Sequence, residues 1–137
     1  MRLLKLSLIV SAALVILAGM GCGHKGPSAA ETTQVLEQNF KTAEPATRQA
    51  VAAATAAINA AATGNLDTQR AHYLEAVRPM ANVVAQGNLS REQVQAVHKV
   101  YLQVHQAAKQ NPALVNKEFY EAQAALANQL YKAGVRP

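Results

Sequence analysis

The sequence predicts an all-α protein, an antiparallel bundle of about four helices with a short additional helix at its N-terminus. Three observations predict this fold. Ala, Gln, Leu, Glu and Lys, which favour helices, dominate the chain beyond about residue 28. Apolar residues recur at alternating spacings of about three and four in the last two segments. Gly and Pro separate the segments at the positions where helices end and begin. An open array of helical hairpins is the alternative architecture.

The first residues have the pattern of an export signal. Arg2 and Lys5 precede an apolar run from Leu6 to Ala18, and small residues follow the run. The stretch from Leu6 to Cys22 is at the lower limit of the about 17 to 25 residues that a membrane-spanning helix needs. We therefore expect a cleaved signal peptide over 1–21 in preference to a retained membrane span.

Cys22 is the only cysteine of the chain. Exported proteins normally pair their cysteines in disulfides, so a single cysteine needs another use. The stretch Gly19-Met20-Gly21-Cys22 resembles the lipobox of bacterial lipoproteins, with Gly19 where that family has Leu. The resemblance implies cleavage before Cys22, a diacylglyceryl thioether on its sulfur and an N-acyl chain such as palmitate. More than one acyl chain anchors a protein stably in a membrane.

Residues 22–27 resemble the start of a family of very small outer-membrane lipoproteins associated with lipopolysaccharide transport, which shares Cys22, Gly23, Lys25, Gly26 and Pro27. The resemblance implies a Gram-negative cell envelope. Gly23 in place of Asp implies the outer membrane, with the protein facing the periplasm. The predicted organisation is a signal peptide over 1–21, a lipidated Cys22 with a flexible tether over 22–30, and one helical domain over 31–137.

The helices are expected at about 29–42, 46–63, 67–86, 90–110 and 112–133. Ser28 with Glu31 and Ser90 with Gln93 have the spacing of capping boxes. Pro45 and Pro112 suit the first position of a helix. Pro79 lies inside the third helix and is expected to kink or divide it.

The triplet Gly-Asn-Leu occurs at 64–66 and at 87–89, where each copy ends one helix and precedes the next. Asp67 and Ser90 then stand at matching cap positions. Residues 64–77 also resemble the hairpin of a tetratricopeptide repeat, at Gly64, Leu66, Asp67, Tyr73, Ala76 and Val77. A helix pair here is longer than the about 34 residues of that repeat, so the closed bundle is preferred.

Few residues are candidates for a catalytic or ligand-binding site. His98 and His105 share one side of a helix about 10 Å apart, too far to bind one metal ion together, and are expected to pack beside the valine stripe. Ser90 is expected to be a helix cap and not a nucleophile. The basic residues are scattered and aromatic residues are few, which argues against nucleic-acid binding. We predict no catalytic, cofactor-binding or metal-binding residues and no small-molecule substrate, so Cys22 is the only predicted site.

The predicted function is that of a lipid-anchored, noncatalytic envelope protein, a helical interaction or scaffold module for another envelope protein. The alternative depends on residues 88–93, "NLSREQ", which resemble the Leu-Thr-x-x-Gln element of small periplasmic chaperones and stress sensors. Within the bundle, Tyr101 and Phe119 are expected to meet in one layer, covered by Val51 and Ile58 of the second helix.

Overall fold

The computed structural model describes residues 26–137, which form an all-α domain. Its helices are α1 (Ala29–Phe40), α2 (Pro45–Ala60), α3 (Leu66–Ala85), α4 (Arg91–Gln110) and α5 (Lys117–Lys132), with a 3₁₀ turn at Pro112–Leu114 before α5. Residues 26–137 contain no strand. The predicted all-α class and the number of helices are confirmed.

The first four helices close a ring. Each packs against the next along the chain, and α1 also packs against α4, which joins the two ends of the series. The domain is therefore a closed bundle and not an open array. α5 lies against α3 and α4, outside this ring. The short N-terminal helix is thus a full member of the ring, and the additional helix is the C-terminal one.

Contacts between the helices define their directions. α4 runs antiparallel to α1, because Lys99 Nζ lies 2.6 Å from Glu31 Oε1 while Gln93 Nε2 donates to Asn39 O at 3.1 Å. α5 runs parallel to α3, because it begins beside the middle of α3 and ends beside the last turn of α3.

The bundle consequently has two distinct ends. The Gly26 end comprises Gly26, the α2–α3 loop at 61–65 and the 3₁₀ turn. The Leu89 end comprises the α1–α2 loop at 41–44, the α3–α4 loop at 86–90 and the end of α5.

The core receives side chains from all five helices and from the 3₁₀ turn. Its largest fully buried members are Phe40, Phe119, Leu36, Ile58, Met80, Leu114, Leu126 and Leu130. In α2, Val51 and Ile58 share the buried face with Ala54 and Ala57. Small side chains on that face let neighbouring helices approach closely, but each buries little apolar area.

Two of the predicted helix starts are confirmed by their caps. Ser90 Oγ accepts the N–H of Gln93 at 3.1 Å, and Gln93 Oε1 accepts the N–H of Ser90 at 3.0 Å, which completes a capping box. Ser28 Oγ accepts the N–H of Glu31 at 3.1 Å. Helix α1 therefore begins at Ala29, before the predicted domain boundary at residue 31.

The two Gly-Asn-Leu triplets are not equivalent. Asn65 caps α3 by accepting the N–H of Thr68 at 3.0 Å, so the prediction that Asp67 is this cap is wrong. In the second copy Asn88 has a φ of 61°, and Ser90 is the cap. Asn serves as a cap in one copy and as a left-handed residue in the other, because its short amide suits both roles.

The prediction of a helix from residue 112 is also wrong. Residues Pro112–Leu114 form a 3₁₀ turn, and α5 begins at Lys117 after the cap Asn116, whose Oδ1 accepts the N–H of Phe119 at 2.8 Å. Arg70 of α3 holds the turn, since its Nε donates to Leu114 O at 2.8 Å and its Nη2 to Ala113 O at 2.8 Å.

Pro79 does not divide α3, which continues from Leu66 to Ala85. Proline removes one backbone hydrogen bond in a helix interior. Val77, Met80 and Val83, which surround Pro79 in the sequence, are buried in the core. Packing on both sides of the proline therefore maintains the helix through this position.

Candidate functional site

Cys22, the predicted lipidation residue, lies outside the described residues, and Gly26 is the nearest residue that the structure describes. Gly26 lies directly on α4. A Cβ atom added to it would be 3.0 Å from Gln106 Cβ and 3.4 Å from Leu102 O. Cys22 precedes Gly26 by four residues in the sequence, and a fully extended chain spans at most about 3.6 Å per residue, so this connection can reach no farther than about 14 Å. The predicted anchor is therefore joined through the chain to the Gly26 end of the bundle.

Among residues 26–137, no helix combines the length and the apolar character that crossing a membrane requires.

The two histidines of α4 stack on opposite sides of one tyrosine. The ring centroids of His98 and Tyr101 are 6.2 Å apart, and those of Tyr101 and His105 are 5.7 Å apart. In each pair the two ring planes form an angle of 15°. Gln123 Nε2 donates to His105 Nδ1 at 3.2 Å, which connects this stack to α5. The packing predicted for His98 is confirmed, whereas His105 is exposed and stacks at the surface.

The electrostatic environment of His98 favours its neutral form. Burial lowers the pKa of His98, and the neighbouring Lys99 cation lowers it further. Its Nε2 atom is buried and has no hydrogen-bond partner. Burial also raises the pKa of the Tyr101 hydroxyl. In the part of the chain that the structure describes, no three His, Cys, Asp or Glu residues are placed to hold a metal ion.

Two clefts lie at the Leu89 end, on either side of the loop at 87–89, and another of about 310 Å³ lies at the opposite end beside Gly26. One cleft of about 380 Å³ lies between the ends of α3 and α5 and the start of α4. The other, of about 360 Å³, lies between the α1–α2 loop and the end of α3. Gly87, Asn88 and Leu89 line both clefts.

The loop between the clefts has an unusual backbone. Gly87 and Asn88 have φ angles of 77° and 61°, so two consecutive residues are left-handed. Such residues are typically Gly or Asn, because other side chains approach the backbone too closely in this conformation. The Gly-Asn pair identified the turn in the sequence. The clefts beside it could not be identified, because they form only when α5 and the α1–α2 loop are in place.

No protein-family model matches the chain, and no curated protein or solved structure is significantly similar to it.

Proposed function

We propose that this protein is a lipid-anchored, noncatalytic module of the cell envelope that binds another envelope protein. In this proposal Cys22 carries the acyl chains, and residues 1–21 are the signal peptide. The membrane is the outer one, and the bundle faces the periplasm. The observation that carries the proposal is the position of Gly26, which lies on α4 at the end of the bundle opposite the two clefts.

This position has a direct geometric consequence. An anchor within about 14 Å of Gly26 holds the Gly26 end close to the membrane surface. The Leu89 end, with its clefts, then points away from the membrane and is open to a partner. Gly26 packs on α4, and only three residues separate it from Cys22 in the sequence. In this proposal the bundle is therefore connected to its anchor by a short segment. Such a protein holds a partner at a fixed distance from the membrane.

Several partly exposed polar side chains join one element of the bundle to another, which agrees with a binding module. Arg70 fixes the 3₁₀ turn, Gln93 links α4 to α1, and Gln123 links α5 to His105. The residues 89–93 that resemble the chaperone element form the capping box of α4, with Ser90 and Gln93 bonded to each other. Helix capping accounts for that resemblance without client binding.

The anchor is tested by mass spectrometry of the native protein and by cell fractionation. We expect a chain that begins at Cys22 with the mass of a diacylglyceryl group and an N-acyl chain. The variant Cys22→Ala should leave the membrane fraction or remain uncleaved, whereas the neighbouring control Gly23→Ala should remain processed and anchored. A native chain with an unmodified Cys22 thiol would refute the anchor.

The binding role is tested by cross-linking in intact membranes. One partner recovered in a fixed ratio supports the scaffold module. A varied set of unfolded proteins would favour the alternative, a small periplasmic chaperone. Turnover of an envelope substrate by the purified chain would refute both.

A further inference from the structure

The basic side chains at the Leu89 end have no ion-pair partners within the described part of the chain. They are Lys41, Arg48, Arg91, Lys132 and Arg136, and all five are exposed. The carboxylates at this end are those of Glu37, Glu44 and Glu92, and none forms a salt bridge with these cations. The Leu89 end therefore has an excess of positive charge.

The rest of the described surface is different, because most of its cations are paired. The pairs are Arg70 with Asp67, Arg78 with Glu118, Lys99 with Glu31, and Lys117 with Glu121. Lys109, near the end of α4, is an exposed basic residue outside these pairs. The unpaired positive charge of residues 26–137 is thus concentrated at the Leu89 end.

The clefts add apolar surface to this positive charge. Leu89 lines both of them, and Val84, Val94 and Lys132 line the larger one. The smaller cleft is lined by Glu44 and by no basic residue, so the larger cleft is the one that combines apolar surface with positive charge. A volume of about 380 Å³ is within the range of small-molecule pockets, about 300 to 1,000 Å³, and so accommodates a large side chain. A fitting partner has carboxylates next to an apolar side chain.

We propose that the Leu89 end is the docking surface for an acidic segment of another protein. Carboxylates of that segment face Lys41, Arg91 and Lys132, and an apolar side chain enters the cleft beside Leu89. The choice of a protein over an anionic membrane rests on the proposed function, which puts the membrane at the Gly26 end. The charge pattern and the clefts do not depend on the anchor.

The test uses the full chain purified in detergent and a fluorescent peptide of repeating Glu-Leu-Asp as the probe. Fluorescence anisotropy should detect saturable binding that weakens with added salt, because exposed charges are screened. Lys41→Glu, Arg91→Glu and Lys132→Glu combined should weaken binding about tenfold or more, since each change replaces an attraction between exposed charges by a repulsion. The control Lys109→Glu reverses one exposed cation elsewhere and should change affinity less than about twofold, less than Lys132→Glu alone.

Two further variants separate charge from apolar contact. A peptide with Gln and Asn in place of Glu and Asp should bind weakly. Leu89→Ala should weaken binding of the acidic peptide, but this binding should keep its dependence on salt. Circular dichroism must show unchanged helix content for every variant.

Four outcomes would overturn the inference. They are an absence of saturable binding, equal losses for the triple variant and for Lys109→Glu, equal affinity for the uncharged peptide, and tighter binding of anionic phospholipid vesicles at the same residues. The same measurement on Cys22→Ala separates the two proposals. An unmodified Cys22 in the native chain would refute the anchor. Peptide binding by Cys22→Ala would show that the docking surface does not depend on the anchor.

Discussion

Replacement of Phe119 tests how α5 is attached to the ring. Phe119 is 2% exposed, and its ring meets that of Tyr73 edge to face, with centroids 6.5 Å apart and planes at 89°. An aromatic side chain buries about 200 Å². At about 25 cal/mol per Å² this corresponds to about 5 kcal/mol. Phe119→Ala should accordingly lower the free energy of unfolding by about 3 to 5 kcal/mol.

The partner of Phe119 in the structure differs from the predicted one. Phe119 meets Tyr73 of α3, while Tyr101 stacks with the histidines of its own helix. α2, which carries Ile58, packs against α1 and α3, whereas α5 packs against α3 and α4. A double-mutant cycle of Phe119→Ala with Tyr73→Ala should therefore give a coupling energy of about 0.5 to 1.5 kcal/mol. The cycle with Ile58→Ala should be additive within about 0.5 kcal/mol.

Urea unfolding followed by circular dichroism measures these energies. Tyr73→Phe is the matched control, because it keeps the ring that contacts Phe119 and should keep most of the coupling. If the double alanine variants do not fold, Phe119→Leu replaces Phe119→Ala in both cycles. If Phe119 were coupled to Ile58 as strongly as to Tyr73, α2 would contact α5 in solution. The conclusion that α5 packs only against α3 and α4 would then be wrong.

Two other predictions concern the loops and the pH dependence of stability. Gly87→Ala should cost about 1 to 2 kcal/mol by urea unfolding, because Gly87 has a φ of 77° but no atom within 4 Å of an added Cβ. Gly64→Ala should cost more, since its Cβ would also lie 2.6 Å from Thr68 Oγ1; equal losses would contradict this steric contribution. The lowered pKa of His98 means that the unfolded chain binds its proton more readily, so the free energy of unfolding should fall as the pH falls below the usual His pKa of about 6.5. In His98→Phe this fall between about pH 7 and 5 should be smaller, and an unchanged slope would exclude His98 as its source.

The features that the sequence predicted well are determined by neighbouring residues. The capping box of Ser90 and Gln93 requires only the spacing of two side chains, and the structure contains it. Pro45 is likewise the first residue of α2. At other helix starts two candidates compete locally. Pro112 favoured an early start of α5, but the cap at Asn116 is the one that places Phe119 in the core.

The features that could not be predicted depend on which helices meet. The 3-4 spacing of apolar residues shows which face of a helix is buried, but it does not identify the helix that covers this face. Tyr101 was therefore expected beside Phe119, although its neighbours are His98 and His105. The clefts at the Leu89 end have the same origin, since three separate segments form their walls.

The closure of the ring by α1 and α4 has a consequence for the order of folding. Glu31 and Lys99 are 68 residues apart in the sequence, whereas consecutive helices meet across short loops. Joining distant segments costs more chain entropy than joining near ones, so we expect the hairpins of α2 to α5 to form first and α1 to dock late. Until then Leu36 and Phe40, which are fully buried in the finished bundle, remain open to solvent. A newly synthesised chain thus has a period in which its first helix is exposed, and during this period it is most vulnerable to proteases and to aggregation.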